Sequence, residues 1–134
     1  MPELIIFVGI PASGKSTYYE NNYSLTHKRI NLDTLKTRKK EWKYFTELLE
    51  SDENIVIDNT NTTIEVRNKF IDAAKEKDYT IKAIVFRIST ELALERNAKR
   101  ENRVPKLAIY TAVRKLEEPS KDEGFEEIEV ISVG

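Results

Sequence analysis

Cysteine is absent from this chain. That excludes disulfides and thiolate metal sites, and it agrees with an expected cytoplasmic location, where no disulfide staple is needed. No apolar run is long: the best, Leu4–Val8, falls far short of the roughly 20 residues that cross a bilayer. The N-terminus has no basic region followed by a long apolar stretch, so no signal peptide and no membrane association are expected. Internal repeats and low-complexity tracts are also missing. The single histidine, His27, sits in a polar stretch with no partner pattern, and no role is assigned to it. What remains is a chain of 134 residues, 40% of them hydrophobic, which is enough for one domain with a real core over residues 1–134.

Net charge is scarce too, at −1, but it is unevenly spread. Glu117–Gly134 carries seven acids and one base, a net of −6. The preceding residues, Met1–Leu116, hold 21 bases and 16 acids, a net of +5. A basic body with an acidic end is compatible with a polyanionic partner, and equally with an ordinary solvated surface.

Strand and helix patterns alternate along the chain. Apolar runs at Glu3–Val8 and Asn54–Asp58 read as strands buried on both faces. Shorter or longer strands are expected at Lys28–Asn31, Thr80–Ile88 and Glu127–Val133. Helices are expected from about Lys15 to Asn22, Thr34 to Glu50, Thr62 to Lys77, Thr90 to Arg100, and from Pro105 to Leu116. Leu35, Trp42, Phe45 and Leu49 fall on one face of the second of these. The pattern predicts an α/β fold, a parallel sheet with helices on both faces. Ligands in such folds bind at the carboxyl ends of the strands.

Gly9-Ile-Pro-Ala-Ser-Gly14-Lys15-Ser16 fills every fixed position of G-x-x-x-x-G-K-[ST], directly after one such strand and before a helix. Glycines admit backbone conformations that a Cβ would block. Successive N–H groups and a helix N-terminus then cradle phosphate oxygens. Gly9, Pro11, Ala12, Ser13, Gly14, Lys15, Ser16 and Thr17 are thus the expected nucleotide-binding residues. Lys15 supplies a charge to the β- and γ-phosphates, and Ser16 a hydroxyl to Mg²⁺. The donor substrate is expected to be ATP and the fold that of a small P-loop NTPase kinase.

Further features follow strand ends or helices. Asp33 can act as a general base toward an attacking hydroxyl, or can cap the helix beginning at Thr34. Asp58 can hold the metal through water, or can cap the turn Asn59–Asn61. Asn59 and Asn61 are short polar groups suited to fixing a phosphate or a metal-bound water. Arg96, Arg100 and Arg103 form a candidate lid, because planar guanidinium groups suit a moving phosphoryl group. Lys36, Arg38, Lys39, Lys40 and Lys43 crowd the stretch after Asp33 and suit either solvent or a phosphate backbone. Trp42 and Phe45 can stack bases, although their spacing favours core packing.

Taken together, these residues resemble the polynucleotide 5′-hydroxyl kinase family over nearly the whole chain. The likeness rests on Val8–Thr17, Ile30-Asn-Leu-Asp-Thr-Leu35, Ile57-Asp-Asn-Thr-Asn61, Arg96-Asn-Ala-Lys-Arg100 followed by Val104-Pro105, Glu118-Pro119, and Glu123-Gly-Phe125. The resemblance implies transfer of the γ-phosphate of ATP to the 5′-hydroxyl of DNA or RNA. It implies Asp33 as base, Lys15 and Arg100 as catalytic cations, Ser16 and Asp58 as metal residues, and Lys36, Asn59 and Asn61 beside the acceptor. Leu32 and Lys36 stand where members of the family often have arginine. No phosphatase activity and no protein partner are expected from this stretch. Two other functions fit the same P-loop: a kinase of a small-molecule hydroxyl, and a slow ATP-hydrolysing switch.

Overall fold

The computed structural model describes residues 1–134. Five strands, β1 (Glu3–Val8), β2 (Lys28–Ile30), β3 (Ile55–Ile57), β4 (Thr80–Arg87) and β5 (Glu127–Ser132), form one sheet in the order β2-β3-β1-β4-β5. Every neighbouring pair is parallel. Six helices connect them: α1 (Lys15–Asn22), α2 (Leu32–Leu35), α3 (Arg38–Glu50), α4 (Ile64–Glu76), α5 (Thr90–Lys99) and α6 (Lys106–Lys115). None is long and apolar enough to cross a membrane.

The alternation along β1 shows why the sheet is covered on both sides. Leu4, Ile6 and Val8 enter one apolar cluster with Phe45, Leu48 and Leu49 of α3 and Phe70, Ile71 and Ala74 of α4. Ile5 and Phe7 point the other way, onto Tyr19 of α1 and Ile84 and Phe86 of β4. Successive side chains of a strand face opposite sides, so an unbroken apolar run needs a layer of helices on each. A third cluster, Ile10, Ala93, Ile109 and Ala112, seats α5 and α6 beside the phosphate loop. Trp42 is half-buried, with its ring 5.4 Å from that of Phe45 and 6.0 Å from that of Phe70. It is a core residue rather than a platform for bases.

The expected helix from Thr34 to Glu50 is two helices. Lys36 adopts φ 79° and ends α2, and Thr37 begins α3 by accepting from Lys40 N–H. The expected cap at Asp33 is also displaced: Asn31 Oδ1 accepts from Thr34 N–H, so Asp33 lies inside the first turn with its carboxylate uninvolved in capping. Thr63 and Ser89 cap α4 and α5, where each side chain accepts from the N–H three residues on. Boundaries of this kind depend on which of two adjacent hydroxyls finds the free donor, and composition does not decide that.

Candidate phosphotransfer site

Parallel strands in register place their carboxyl ends along one edge. Ile6 pairs with Ile57, and Ile57 with Ile30, so the segments that follow β1, β2 and β3 emerge side by side. Three hydrogen bonds fasten them. Gly9 N–H donates to the Thr60 carbonyl at 3.0 Å. Asn31 Nδ2 donates to the Asp58 carbonyl at 2.7 Å. Asn61 Nδ2 donates to the Phe7 carbonyl at 2.7 Å.

Between these segments lies a cleft of about 310 Å³, lined by Pro11–Thr17, Asn31–Asp33, Arg38, Asp58–Thr60, Arg100 and Val104. The two loop glycines serve different ends. A Cβ on Gly9 would sit 2.9 Å from Ser13 Oγ and 3.1 Å from Phe86 Cβ, so Gly9 lets the loop pack on β4 and does not itself line the cleft. Gly14 has open space around it but φ +92°, a conformation that side chains disfavour, at the N-terminus of α1. No acid stands in the first turn of α1, so its positive end is uncompensated.

Lys15 folds back along the loop. Its Nζ donates to the Gly9 and Ile10 carbonyls at 3.0 and 2.9 Å and to Ser13 Oγ at 3.3 Å. Burial pulls its ammonium down to about 8; Asp58 opposes this, Arg100 adds to it, and Asp33 opposes it again. Arg100 lies at the end of α5, and its buried Nε finds no acceptor in the protein. A buried guanidinium nitrogen without a partner is costly unless an anion meets it. Arg100 thus faces the same space as Lys15, and two cations and a helix N-terminus there suit a polyphosphate.

Asp58 is fully buried at the end of β3. Its Oδ2 accepts from Ser16 Oγ at 3.1 Å and from Arg29 Nε at 2.7 Å, so it does not cap the following turn. Arg29 Nη2 also donates to Ser16 Oγ at 2.8 Å, closing a triangle. A hydroxyl and a carboxylate oxygen beside a phosphate loop are the donors that Mg²⁺ takes, together with phosphate oxygens and water. Ser16 and Asp58 therefore fit that ion, and Arg29 pairs with the same Asp58 oxygen that Ser16 reaches. Asp33, exposed at its edge, lines the cleft with them.

Other expected residues are placed differently. Asn59 lines the cleft, but its amide is engaged: Oδ1 accepts from Leu32 N–H at 2.8 Å and Nδ2 donates to Glu41 Oε2 at 2.8 Å. Asn61 is buried, and its Nδ2 holds strand ends. Asn59 is thus a fastener with both ends taken, whereas Asn61 fastens through Nδ2 and keeps a buried Oδ1 without a partner in the protein. Lys36 is exposed and lines neither this cleft nor the groove beside it. Arg96 and Arg103 are exposed outside the cleft, and Arg103 Nη1 donates to the Ala98 carbonyl at 3.1 Å. Of the three lid arginines, the fold brings in Arg100 alone.

Sequence reasoning missed Arg29, and it missed Glu41. Glu41 is fully buried, accepting from Arg38 Nη1 at 2.8 Å and from Asn59. A signal existed: Glu41, Phe45 and Leu48 share the i, i+4, i+7 stripe that faces the core, and an acid on that stripe needs a partner. Arg67 was missed as well. It is fully buried, holding Glu123 at 2.8 and 3.1 Å and the Asn61 carbonyl at 2.8 Å, so it braces the turn after β3 from behind.

With this geometry in view, the likeness to known proteins is specific. Residues 4–119 match a family described as an AAA domain. A bifunctional polynucleotide phosphatase/kinase of Schizosaccharomyces pombe is 36% identical over 135 residues, 96% of this chain and 33% of that protein. A counterpart from Acanthamoeba polyphaga mimivirus is 34% identical over 140 residues, 97% of this chain and 33% of its own length. The chain thus spans about a third of the length of these curated relatives. A gluconokinase from Sinorhizobium meliloti 1021 shares the fold, with a TM-score of 0.68 at 19% identity over 99% of this chain and 83% of that one. The matched span, the five-stranded parallel sheet and the filled phosphate loop show that this chain belongs to the AAA-domain family, with a P-loop nucleotide-binding fold.

Proposed function

We propose that the domain transfers the γ-phosphate of ATP to the 5′-hydroxyl of a DNA or RNA strand. One observation carries the reading: two polynucleotide phosphatase/kinases match nearly all of this chain, and Asp33 opens onto the same cleft as Lys15, Ser16 and Arg100. In the proposed step the 5′-oxygen attacks the γ-phosphorus, Asp33 takes the hydroxyl proton, and the bond to the β-phosphate oxygen breaks to release ADP. Lys15 and Arg100 hold the phosphate oxygens, and Ser16 and Asp58 are the residues that would hold Mg²⁺, which balances phosphate charge when bound. Arg29 holds the buried Asp58 in place through its Nε at 2.7 Å. We place this activity in the cytoplasm.

The test is label transfer from γ-labelled ATP, with Mg²⁺, to a 5′-hydroxyl oligonucleotide, run beside the same oligonucleotide already 5′-phosphorylated. Label on the first alone supports the reading. Label on neither, with ATP still bound, would turn the assignment to a small-molecule hydroxyl, the kind of acceptor a gluconokinase uses.

A further inference from the structure

Arg29 touches both residues that fit the metal, yet it does not line the cleft itself. Its place follows from strand alternation. Ile30 enters the core with Phe45 and Leu49, so Arg29, one residue earlier on β2, points to the face that α1 covers. There its guanidinium lies 5.8 Å from the ring centre of Tyr19, a buried residue of α1. From that side Nε donates to Asp58 Oδ2 at 2.7 Å and Nη2 to Ser16 Oγ at 2.8 Å. Ser16 Oγ donates its own hydrogen to the same Asp58 oxygen at 3.1 Å. A hydroxyl has one hydrogen and two lone pairs. The hydrogen is given to Asp58 and one lone pair is taken by Arg29, so a single lone pair of Ser16 stays free.

Charge points the same way. Lys15, Arg38 and Arg100 line the cleft against Asp33 and Asp58. Asp58 is the carboxylate beside Ser16, and Arg29 already pairs with it. A divalent ion arriving without nucleotide would meet one free lone pair, one neutralised carboxylate and an excess of positive charge. Nowhere else in the chain do three or more His, Asp or Glu side chains gather to hold an ion. Mg²⁺ prefers a full octahedron of oxygens and negative charge to offset its own, and a polyphosphate brings both.

We propose that Arg29 is a positioning residue that closes the Ser16–Asp58 pair to bare divalent ions and so makes metal binding depend on bound ATP. This rests on the nucleotide reading of the cleft and on the metal assignment to Ser16 and Asp58, and not on which hydroxyl accepts the phosphate. Arg29 acts through those two side chains in two ways. Its charge offsets the carboxylate, which lowers affinity for the ion alone. Its fork fixes Ser16, which leaves less to be ordered once the phosphate oxygens arrive. The coupling is reciprocal: ATP tightens the ion by the factor by which the ion tightens ATP.

The test is Mn²⁺ binding, followed by electron paramagnetic resonance with and without a non-hydrolysable ATP analogue, and with no acceptor present. For the wild type the expected result is weak binding alone and a gain of about a hundredfold with the analogue, at the upper end of ordinary couplings. Arg29→Gln keeps a donor and removes the charge. It is expected to bind Mn²⁺ alone about tenfold more tightly, a modest effect for a unit charge a few ångströms away, so that the gain drops to about tenfold. Arg29→Lys keeps the charge and loses the fork. It is expected to bind Mn²⁺ alone as weakly as the wild type and to lose its part of the gain in the analogue complex. This variant serves by itself if Arg29→Gln does not fold. Lys28→Ala, an equal charge change at an exposed neighbour on β2, is the control. A merely structural Arg29 would lower the urea midpoint in both variants and leave the ratio of the two Mn²⁺ affinities at the wild-type value. That unchanged ratio, or an equal shift in Lys28→Ala, would overturn the proposal. Ser16→Ala tells which claim has failed: a wild-type ratio in that variant would overturn the metal assignment first, and the role of Arg29 with it.

Discussion

At the scale of single residues, the cleft sets its own pH range. Burial holds Lys15 at about 8 in the nucleotide-free protein, against an ordinary value of 10.5. Between those values the unfolded chain keeps a proton that the folded one has lost, so Lys15 contributes stability that rises with pH across that window. Phosphate affinity runs the other way, because it needs the ammonium. We expect kcat/KM for ATP to fall through one deprotonation near pH 8, by about tenfold per pH unit above it at most. A flat profile to pH 9.5 would show that Lys15 stays charged without ligand. The lid gives a second comparison. Arg100→Ala should slow transfer far more than Lys99→Ala, because Lys99 is exposed and paired only with Glu95 at 3.3 Å, an ion pair worth at most about 1 kcal/mol. The opposite order, read from initial rates, would place the lid on the wrong residue.

At the scale of elements, short polar segments hold the site more than the helices do. The Arg67–Glu123 pair ties α4 and the turn at Lys121–Glu123 to the segment after β3. Glu123→Ala leaves a fully buried guanidinium half-partnered, so we expect a loss of about 3–5 kcal/mol in urea unfolding. A loss below about 1 kcal/mol would mean that the turn is held by other bonds. The break between α2 and α3 matters in the same way. Had Thr34–Glu50 been one helix, Arg38 and Glu41 would continue the line of Asp33. Instead the positive φ at Lys36 turns the chain, Lys36 faces solvent, and Arg38 comes back to the cleft edge. No glycine or proline marks that turn. The sequence pattern therefore reads through it, and only the competing caps of Asn31 and Thr37 reveal it.

At the scale of the molecule, the parallel sheet was legible because β1 and β3 are apolar without alternation and each is followed by a helix pattern. The phosphate loop was legible for the same local reason: its chemistry lies in eight consecutive residues. What could not be read is what the topology brings together across the chain. Arg29 meets Ser16 and Asp58 from β2, Glu41 meets Asn59 from α3, and Arg67 of α4 meets Glu123 of the turn before β5. In each case a charged side chain that looks like surface in one dimension is paired by the fold in three. The reverse holds for Arg96 and Arg103, which share a motif with Arg100 but lie outside the cleft. Position along the segment separates them: Arg100 is the residue that ends α5 and lines the cleft, whereas Arg96 lies within the helix and Arg103 beyond its end.

The central claim is that one cleft joins a phosphate-binding loop to a base that serves an attacking hydroxyl. The most direct measurement is the single-turnover transfer rate of Asp33→Asn to a 5′-hydroxyl oligonucleotide, with ATP binding followed in parallel. A rate lower by about 10²–10⁴-fold with ATP affinity retained is the expected result, the span for a lost general base. A rate within a factor of two of wild type would contradict the account, and would leave Asp33 as no more than a residue in the first turn of α2.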